Sequence, residues 1–427
     1  MVVKMPYGND LLELELGEEE IAATLEAKPL PEDDEETIIA AALKNPIGSA
    51  PLSDLVQSGE KAVIIVGDMT RAWVRHDRFL PALLAELSAG GIEDPHITVL
   101  SATGDHRPQS ESEHRTLVGD SVYERVKVLD HSSSDQENLV FLGTTTRGTP
   151  VWINRIVVEA DRLIITGGIV YHFLAGWGGG KKAIIPGVSG RETIMSNHGL
   201  AFLPGEGAGL DPAVCAGQHE GNPLCEDMHE AAALIDPDFL LNTVIDEERG
   251  KIAKVFAGHY LHAHEAGCCF VDDHFKVPVA EEAEVIIASC GGFPKDINFY
   301  QSYKTIYNAS RILKKKGTLL LISECREGVG NEHFFKLFTA YSNNPARESA
   351  LRRDYSIGGQ MAYHSALVAE ENDLLVLSSM PEETVKAMGM IPISSLAQGL
   401  DWIRNKHGAI PPCCLMPHGG TTFPSCC

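Results

Sequence analysis

The sequence predicts an α/β fold of two domains with mostly parallel sheets and an active-site cleft between them. Three observations support this prediction. Short apolar runs alternate with amphipathic helical stretches, several runs end in Gly, Asp or Cys where a helix can begin, and 427 residues exceed a typical single hydrophobic core. Sheets of this kind bind ligands beyond the carboxyl ends of their strands, so functional residues are expected there.

Five apolar runs are typical of buried strands: KAVIIVGD at 61–68, HITVLSATG at 96–104, DRLIITGGIV at 161–170, AEVIIASCGG at 283–292 and GTLLLISEC at 317–325. The segment PVAEEAE at 278–284 separates the third run from the fourth, and the strand-helix alternation restarts after it. The sequence therefore predicts an N-terminal α/β domain over 1–280 and a C-terminal α/β domain over 281–410. The tail, 411–427, is too short for a domain and is expected to pack on the first one.

The charge balance limits the possible partners. There are 35 basic and 59 acidic residues, which gives a formal net charge of −24. Such a chain repels nucleic acid and anionic lipid surfaces, and no apolar run approaches membrane-spanning length. The N-terminal segment alternates like a strand and has no apolar signal region. We expect a cytoplasmic protein that binds a small anion through a few local Arg or Lys residues. The sequence does not predict its oligomeric state.

The ten cysteines do not indicate a disulfide scaffold in so long a chain. The adjacent pairs Cys268-Cys269, Cys413-Cys414 and Cys426-Cys427 lack the C-x-x-C spacing of common metal sites, and we expect buried or incidental thiols. The run His259-x-x-His262-x-His264 before the first pair also matches no common closed zinc site. We interpret it as part of a loop.

Two polar clusters follow the first two predicted strands. In the first, Asp68 and Arg71 flank Thr70 and offer a hydroxyl acceptor and a carboxylate-binding guanidinium, although Asp and Thr at such a place often only cap a helix. In the second, small residues precede His106 in the run SATGDHRP, where a histidine suits a general base. The alternative for this cluster is a loop with a solvated histidine.

The glycine-rich run from Tyr171 to Gly187 is the most informative segment. It is not a nucleotide-binding P-loop, because Ala175 stands at the position of the first required Gly and Lys182 at that of the Ser or Thr. A glycine turn that ends in two lysines suits covalent attachment of a carbonyl or thiocarbonyl group. A flexible basic loop is the alternative, but it leaves unexplained why His172 lies ten residues before Lys182 and His198 sixteen after it.

A last cluster, GGFPKDINFYQSYK, follows the fourth predicted strand. Tyr300 and Lys304 are one helical turn apart, and Gln301 lies three residues before Lys304, so all three can converge on a carboxylate. A helix face with one lysine is commonly just solvated. This cluster therefore supports a substrate-binding site only in combination with the other clusters.

Together these clusters resemble the nickel-dependent lactate racemase family over nearly the whole chain. The resemblance rests on D-x-T-R at Asp68, A-T-G-x-H-R-P around His106, H-x-x-A-G-x-x-G-G-x-K from His172 to Lys182, and P-K-D-I-N-x-Y-Q ending at Gln301. Members of the family carry a nickel pincer nucleotide, a pyridinium mononucleotide (pyridinium-3-thioamide-5-thiocarboxylic acid mononucleotide) whose two sulfur-bearing arms and a ring carbon bind Ni(II). The resemblance implies reversible hydride transfer that racemises or epimerises a 2-hydroxy acid at C2.

The resemblance also implies the site. Lys182 would be bonded to the nucleotide, His198 would bind nickel, and Asp68 would contact the nucleotide, all in the domain over 1–280. His106 and His172 would be the acid/base pair, since an enzyme that accepts both enantiomers is well served by two histidines. Arg71, Tyr300, Gln301 and Lys304 would bind the substrate. Lys181 would be a solvated or phosphate-facing charge, and separate cofactor-synthesis enzymes would be needed for the holo form.

Three departures from the family pattern, Gly178 for Ser, the extra Lys181 and Ala72 for Pro, leave these side chains intact but put the choice of substrate in doubt. Two other functions are possible from the residues alone. A nicotinamide-dependent 2-hydroxyacid oxidoreductase shares the hydride chemistry, but no G-x-G-x-x-G follows a predicted strand with an acidic residue about 20 positions on. A non-catalytic nucleotide- or nickel-binding protein would be favoured by a missing His or Lys, and none is missing.

Overall fold

The computed structural model describes residues 1–426, and all five predicted apolar runs form strands in it, as β4, β5, β9, β15 and β16. The strands are β1 (Val2–Tyr7), β2 (Asp10–Glu15), β3 (Ile21–Thr24), β4 (Ala62–Gly67), β5 (Ile97–Ala102), β6 (Lys127–Asp130), β7 (Leu139–Thr144), β8 (Pro150–Asn154), β9 (Arg162–Gly168), β10 (Tyr171–His172), β11 (Gly176–Trp177), β12 (Phe239–Asp246), β13 (Lys251–Gly258), β14 (Lys276–Val279), β15 (Ala283–Ser289), β16 (Leu313–Ile322), β17 (Asp373–Leu377), β18 (Ile391–Ile393), β19 (Cys413–Met416) and β20 (Phe423–Cys426).

The α-helices are α1 (Glu35–Lys44), α2 (Leu52–Leu55), α3 (His76–Ala89), α4 (Glu111–Val118), α5 (Asp120–Tyr123), α6 (Arg155–Val158), α7 (Arg191–Gly199), α8 (Pro223–Ala233), α9 (His262–Phe275), α10 (Phe299–Ser310), α11 (Glu332–Ala340), α12 (Asn344–Arg353), α13 (Ile357–Glu371), α14 (Glu382–Ala387) and α15 (Leu396–His407). Short 3-10 turns cover Glu18–Glu20, Met69–Val74, Asp94–His96, Gln136–Asn138 and Gly180–Ala183. No helix among residues 1–426 is both long and apolar enough to cross a membrane.

The chain divides into two units. The central unit comprises 29–203 and 210–272, and the terminal unit comprises 1–28, 204–209 and 273–426. The short insertion 204–209 belongs to the terminal unit, where the backbone N–H groups of Gly207 and Gly209 donate to the buried carboxylate of Glu348 at 3.0 and 3.1 Å. The prediction of an α/β fold in two parts, which rested on the alternation of strands and helices, agrees with these two units.

The central unit is built on a six-stranded sheet in the order β13-β12-β9-β4-β5-β6, in which only the β12-β13 pair is antiparallel. Residues 62–66 of β4 are all buried, as expected for a strand with parallel neighbours on both sides and helices on both faces. Apolar side chains of this sheet pack with α1 and α3 into one core. The polar clusters at Asp68 and His106 follow β4 and β5 directly, so neighbouring strands carry them to the same edge.

The terminal unit has a second six-stranded sheet, fully parallel, in the order β18-β17-β16-β15-β19-β3. The prediction that 411–427 packs on the first domain was wrong. All four residues of β19 are buried, and this strand pairs with β15 on one side and β3 on the other. An apolar strand between two parallel partners satisfies its whole hydrogen-bonding ladder, which packing on a distant surface would not do.

The bounds of the first domain also differ from the predicted 1–280, because residues 1–28, 204–209 and 273–280 belong to the terminal unit. β1 and β2 form an antiparallel hairpin whose turn needs Gly8 at φ +56°. Met5 and Leu14 of this hairpin are buried in the core of the terminal sheet. The cysteines of residues 1–426 are free thiols, as expected, whereas Cys427 lies outside the described residues.

Candidate active site

The turn after β4 holds a buried carboxylate. Asp68 Oδ1 accepts from the Thr70 hydroxyl and Oδ2 from His106 Nδ1, each at 2.5 Å. Burial acts to raise the pKa of Asp68, but the hydrogen bonds from His106 and Thr70 outweigh it and hold the pKa below its ordinary value. The Asp68 side chain makes no capping bond to the 3-10 turn that follows. Its partners are therefore His106 and Thr70 and not the start of a helix.

His106 is fixed in one tautomer by this contact. An ionised Asp68 accepts only, so Nδ1 of His106 carries the proton and Nε2 carries the lone pair. The side chain of His106 is 48% exposed. Arg71 stands beside this pair, with its guanidinium donating to the Thr70 hydroxyl at 3.0 Å.

His172 lies in the short hairpin of β10 and β11 and is held in the opposite tautomer. Its Nδ1 accepts backbone N–H bonds from Leu174 at 3.2 Å and Ala175 at 3.3 Å, so the proton is on Nε2. Burial lowers the pKa of His172 well below its ordinary value, and the charges of Lys182 and Arg71 lower it further. The ring is therefore neutral at neutral pH.

The glycine run before Lys182 allows close packing with two neighbouring elements. Gly179 and Gly180 have φ of +72° and +53°. A Cβ on Gly179 would lie 2.5 Å from Oδ1 of Asn242, and one on Gly180 would lie 2.8 Å from the ring of His264. Asn242 also accepts the Gly180 N–H at 3.0 Å. This segment is a packed turn, which rules out the flexible basic loop that the sequence left open.

The two lysines at the end of this turn have different surroundings. Burial lowers the pKa of Lys182 to about 7, with further contributions from the charges of Arg71 and Lys181. Lys181 is only 1% exposed, and its Nζ lies 2.9 Å from Nε2 of His219. The expectation of a solvated or phosphate-facing Lys181 was therefore wrong. Adjacent residues in a 3-10 turn point to different sides, and here Lys181 points into the protein.

His198 lies near the end of α7 and is 1% exposed. Its Nδ1 donates to the Ile194 carbonyl at 2.9 Å, which sets the lone pair on Nε2. Burial lowers the pKa of His198 to about 3, with Lys182 contributing. A neutral imidazole with one nitrogen oriented by a backbone carbonyl is the usual form of a histidine that binds a metal ion.

These central-unit residues form one group. The charges of Lys182, Arg71 and His198 all act on His172, and the charge of Arg71 acts on Lys182 and Asp68. The predicted residues Asp68, Arg71, His106, His172, Lys182 and His198 are thus linked by hydrogen bonds or by mutual electrostatic influence.

The remaining predicted residues lie in the terminal unit on α10. The Asn298 side chain caps this helix by accepting the Gln301 N–H at 3.0 Å. Gln301 and Lys304 are exposed, while Tyr300 is half-buried with its ring edge-on to Phe334 at 5.9 Å. The predicted helix and its polar face are present.

The comparisons with known proteins agree on one family. Residues 7–209 match the model of the lactate racemase N-terminal domain, and residues 279–422 match that of the lactate racemase C-terminal domain. The lactate racemase of Thermoanaerobacterium thermosaccharolyticum is 34% identical over 407 residues, which cover 93% of each chain. The chain belongs to the lactate racemase family. It is therefore an isomerase of the racemase type and not an oxidoreductase or a non-catalytic carrier.

Two further comparisons agree with this family assignment. The lactate racemase of Lactiplantibacillus plantarum is 32% identical over 338 residues, 78% of this chain and 77% of that one. The solved structure of the lactate racemase apoprotein from Thermoanaerobacterium thermosaccharolyticum covers 100% of both chains with a TM-score of 0.89 at 32% identity. A Thermotoga maritima protein shares the fold alone, with a TM-score of 0.63 at 20% identity over 92% of this chain and 98% of that one.

Sequence reasoning missed two features of this lactate racemase family member. It did not pair Asp68 with His106, because 38 residues separate them and only the parallel pairing of β4 with β5 brings them together. It also treated His264 and Cys268 as part of a loop, although both lie on α9 and are buried. The four-residue spacing of these two is the signal that could have found them, since it places both on one face of a helix.

Proposed function

We propose that this chain racemises or epimerises a 2-hydroxy acid, lactate or a related acid, at C2 with a nickel pincer nucleotide bonded to Lys182. The observation that carries the proposal is the joint environment of Lys182, His172 and His198 in the central unit, next to the Asp68-His106 pair. The choice of a small hydroxy acid as the substrate rests on the similarity of the chain to lactate racemases.

The residues present fit this cofactor. A lysine whose pKa is about 7 is in large part a neutral amine at neutral pH, the form that can attack and retain a thiocarbonyl group. His198 offers a neutral imidazole oriented for a metal ion, and nitrogen with sulfur donors suits Ni(II). When bound, the nucleotide would supply reversible acceptance of the C2 hydride.

The role of the chain is to hold the acid and to move the hydroxyl proton. Direct removal of the weakly acidic C2 proton is unfavourable, whereas loss of hydride together with the hydroxyl proton leaves a planar keto acid. In our proposal Nε2 of His106 takes the hydroxyl proton, and Asp68 stabilises the resulting imidazolium. Asp68 is thus a positioning residue for His106, and its contact with the nucleotide stays a prediction.

His172 would act as the acid/base for the opposite enantiomer of the substrate. In the ligand-free chain it is neutral, because burial and the charges of Lys182 and Arg71 oppose its protonation. An amide or thioamide at Lys182 carries no charge, and a bound carboxylate offsets Arg71. Both changes raise the pKa of His172 toward the range of a general acid/base. The second histidine would become competent only in the loaded enzyme.

Protein co-expressed with cofactor-synthesis enzymes tests this function. We expect peptide mass mapping to locate the adduct on Lys182, metal analysis to find one nickel per chain, and lactate of either configuration to be converted to the mixture. Lys182→Ala should lose the adduct and the activity, and His198→Ala should lose nickel. The exposed Lys315→Ala is the matched control and should change nothing. An adduct on Lys181, or full activity in Lys182→Ala, would contradict the proposal.

A further inference from the structure

Five histidine and cysteine side chains that the proposed reaction does not use converge behind the glycine turn of the central unit. They come in two pairs, each spaced one helical turn apart: Cys225 and His229 on α8, and His264 and Cys268 on α9. His219, from the loop before α8, lies between the pairs. Two helices that each present one imidazole and one thiol, with a fifth donor between them, resemble the first shell of a metal ion.

Within each of two donor sets, the distances permit coordination of one ion. His219, His264 and Cys268 have one donor atom each within 4.8 Å of one another, and the same holds for His219, Cys225 and His229. Donors around one zinc-like ion, bound at about 2.0–2.3 Å, lie roughly 3–4 Å apart. The ring of His219 is 5.6 Å from that of His264 and 5.5 Å from that of His229, so His219 belongs to both sets.

Neighbouring groups orient two of these donors. His264 Nε2 donates to the Gly178 carbonyl at 2.9 Å, which leaves the lone pair on Nδ1, 3.8 Å from the Cys268 sulfur. Gly180 gives the His264 ring the space to reach this carbonyl. The edge of Trp177 packs on His219 at a ring distance of 4.4 Å. Metal-binding histidines commonly have their other nitrogen fixed by a carbonyl in this way.

The Lys181 amine lies at the edge of this cluster. The Lys181 amine lies 2.9 Å from His219 and interacts with the thiols of Cys225 and Cys268, and no ion pair joins it to a carboxylate within residues 1–426. The Lys181 amine thus lies among nitrogen and sulfur donors, where a metal ion would compete with it. A divalent ion bound by two thiolates would be electrically balanced, and it would displace the Lys181 contact with His219.

We propose that His219, His264 and Cys268, with Cys225 and His229, form a second metal site that binds a zinc-class divalent ion independently of His198. Borderline-soft ions prefer this imidazole and thiolate set. The ion would tie α8 and α9 to the turn that carries Lys182, and its role would be structural.

Cobalt(II) tests the site, because thiolate ligation gives a near-ultraviolet charge-transfer band and a tetrahedral ion gives intense visible bands. Full-length protein made without cofactor-synthesis enzymes is treated with a chelator and titrated with Co²⁺, and Zn²⁺ then competes. We expect about one equivalent with a thiolate band, unchanged in His198→Ala. The band should be lost in Cys225→Ser/Cys268→Ser. Cys269→Ser, an exposed neighbour, should retain it.

Lys181→Met is the second variant, and it removes the competing amine without touching a donor. It should saturate at a lower Co²⁺ concentration than the natural chain. The proposal is overturned if the natural chain gives no thiolate band, if the double serine variant keeps it while folded by circular dichroism, or if only Lys181→Met shows it. Neither substrate nor pincer nucleotide is present, so the result does not depend on the proposed racemisation.

Discussion

The two six-stranded sheets have similar architecture and very different buried chemistry. The core of each is apolar, but the central unit also buries Lys181, His76, His131, His198 and His264. The terminal unit buries mostly hydroxyls and thiols, such as Tyr303, Cys290 and Cys325, and the two carboxyl groups of Asp296 and Glu348. Burial of ionisable groups costs stability unless they become neutral or paired. The central unit carries this cost where the proposed function needs a neutral amine and neutral imidazoles. In the terminal unit the candidate residues Gln301 and Lys304 are exposed on α10.

The largest effect expected from this contrast is on the two histidines of opposite tautomer. His106→Ala and His172→Ala should each reduce turnover by about 10²- to 10⁴-fold, the typical loss of a general acid/base. Both residues lie at strand ends and not in the core, so the fold should persist. Racemisation rates measured from each enantiomer, with circular dichroism as a check on folding, test this.

The exposed His96→Ala is the matched control for both variants and should have normal turnover. Near-normal racemisation in both His106→Ala and His172→Ala would show that neither histidine is the general acid/base. If only one variant is impaired, a single histidine serves both enantiomers.

A smaller effect is expected for Arg71 and Lys304, the two basic residues predicted to bind the substrate carboxylate. Arg71→Ala and Lys304→Ala should weaken turnover of hydroxy acids by about 10- to 100-fold, because hydrogen bonds to a charged group contribute roughly 1.5–3 kcal/mol. The loss should appear mainly in KM, and the adduct on Lys182 should remain. Steady-state kinetics measure the change in KM, and the intact mass of each variant shows whether the adduct on Lys182 remains. Loss of the adduct with retained substrate binding would reverse the assigned roles.

Sequence alone predicted the features of these units that depend on local residue patterns. It did not predict the features that depend on contacts between distant segments. The strands β4, β5 and β9 were predicted because continuous apolar runs need no partner to be recognised. The glycine turn was recognised as important, but its packing on Asn242 and His264 requires β12 and α9, far along the chain. Hence Lys181 was expected to be solvated although it is buried.

Non-local pairing also explains the errors in domain assignment. Nothing within CCLM at 413–416 specifies that this strand lies between β15 and β3, since any parallel sheet with an open position can accept an apolar strand. The candidate site residues could be singled out in the sequence because their motifs are short and rich in unusual residues, and their roles stay predictions. The His219 cluster was not predicted, because its donors lie on three separate segments and only their packing makes a set.

The smallest effect concerns stability in acid, and it should differ between the units. His131 is buried in the central unit, where its Nε2 donates to the Ser189 carbonyl at 2.9 Å and its Nδ1 contacts the Asn154 amide at 3.0 Å. Burial lowers the pKa of His131 to about 4. The unfolded chain takes up this proton below about pH 6.5, and the folded chain does not until about pH 4. The unfolded state therefore binds more protons in this window, and the free energy of unfolding falls as pH falls through it.

His131→Gln removes this titration, so it should flatten the decline between pH 6.5 and 4 by about 3 kcal/mol, given roughly 1.36 kcal/mol per pKa unit. Three of the four tryptophans (Trp73, Trp152 and Trp177) lie in the central unit, and only Trp402 lies in the terminal unit. In a Trp402→Phe background, tryptophan fluorescence during urea unfolding therefore reports the central unit alone. The matched variant His364→Gln, whose histidine is buried in the terminal unit with a pKa lowered to about 4, should leave this signal unchanged. An acid decline as steep in His131→Gln as in its parent would show that His131 does not contribute to the difference between the two units.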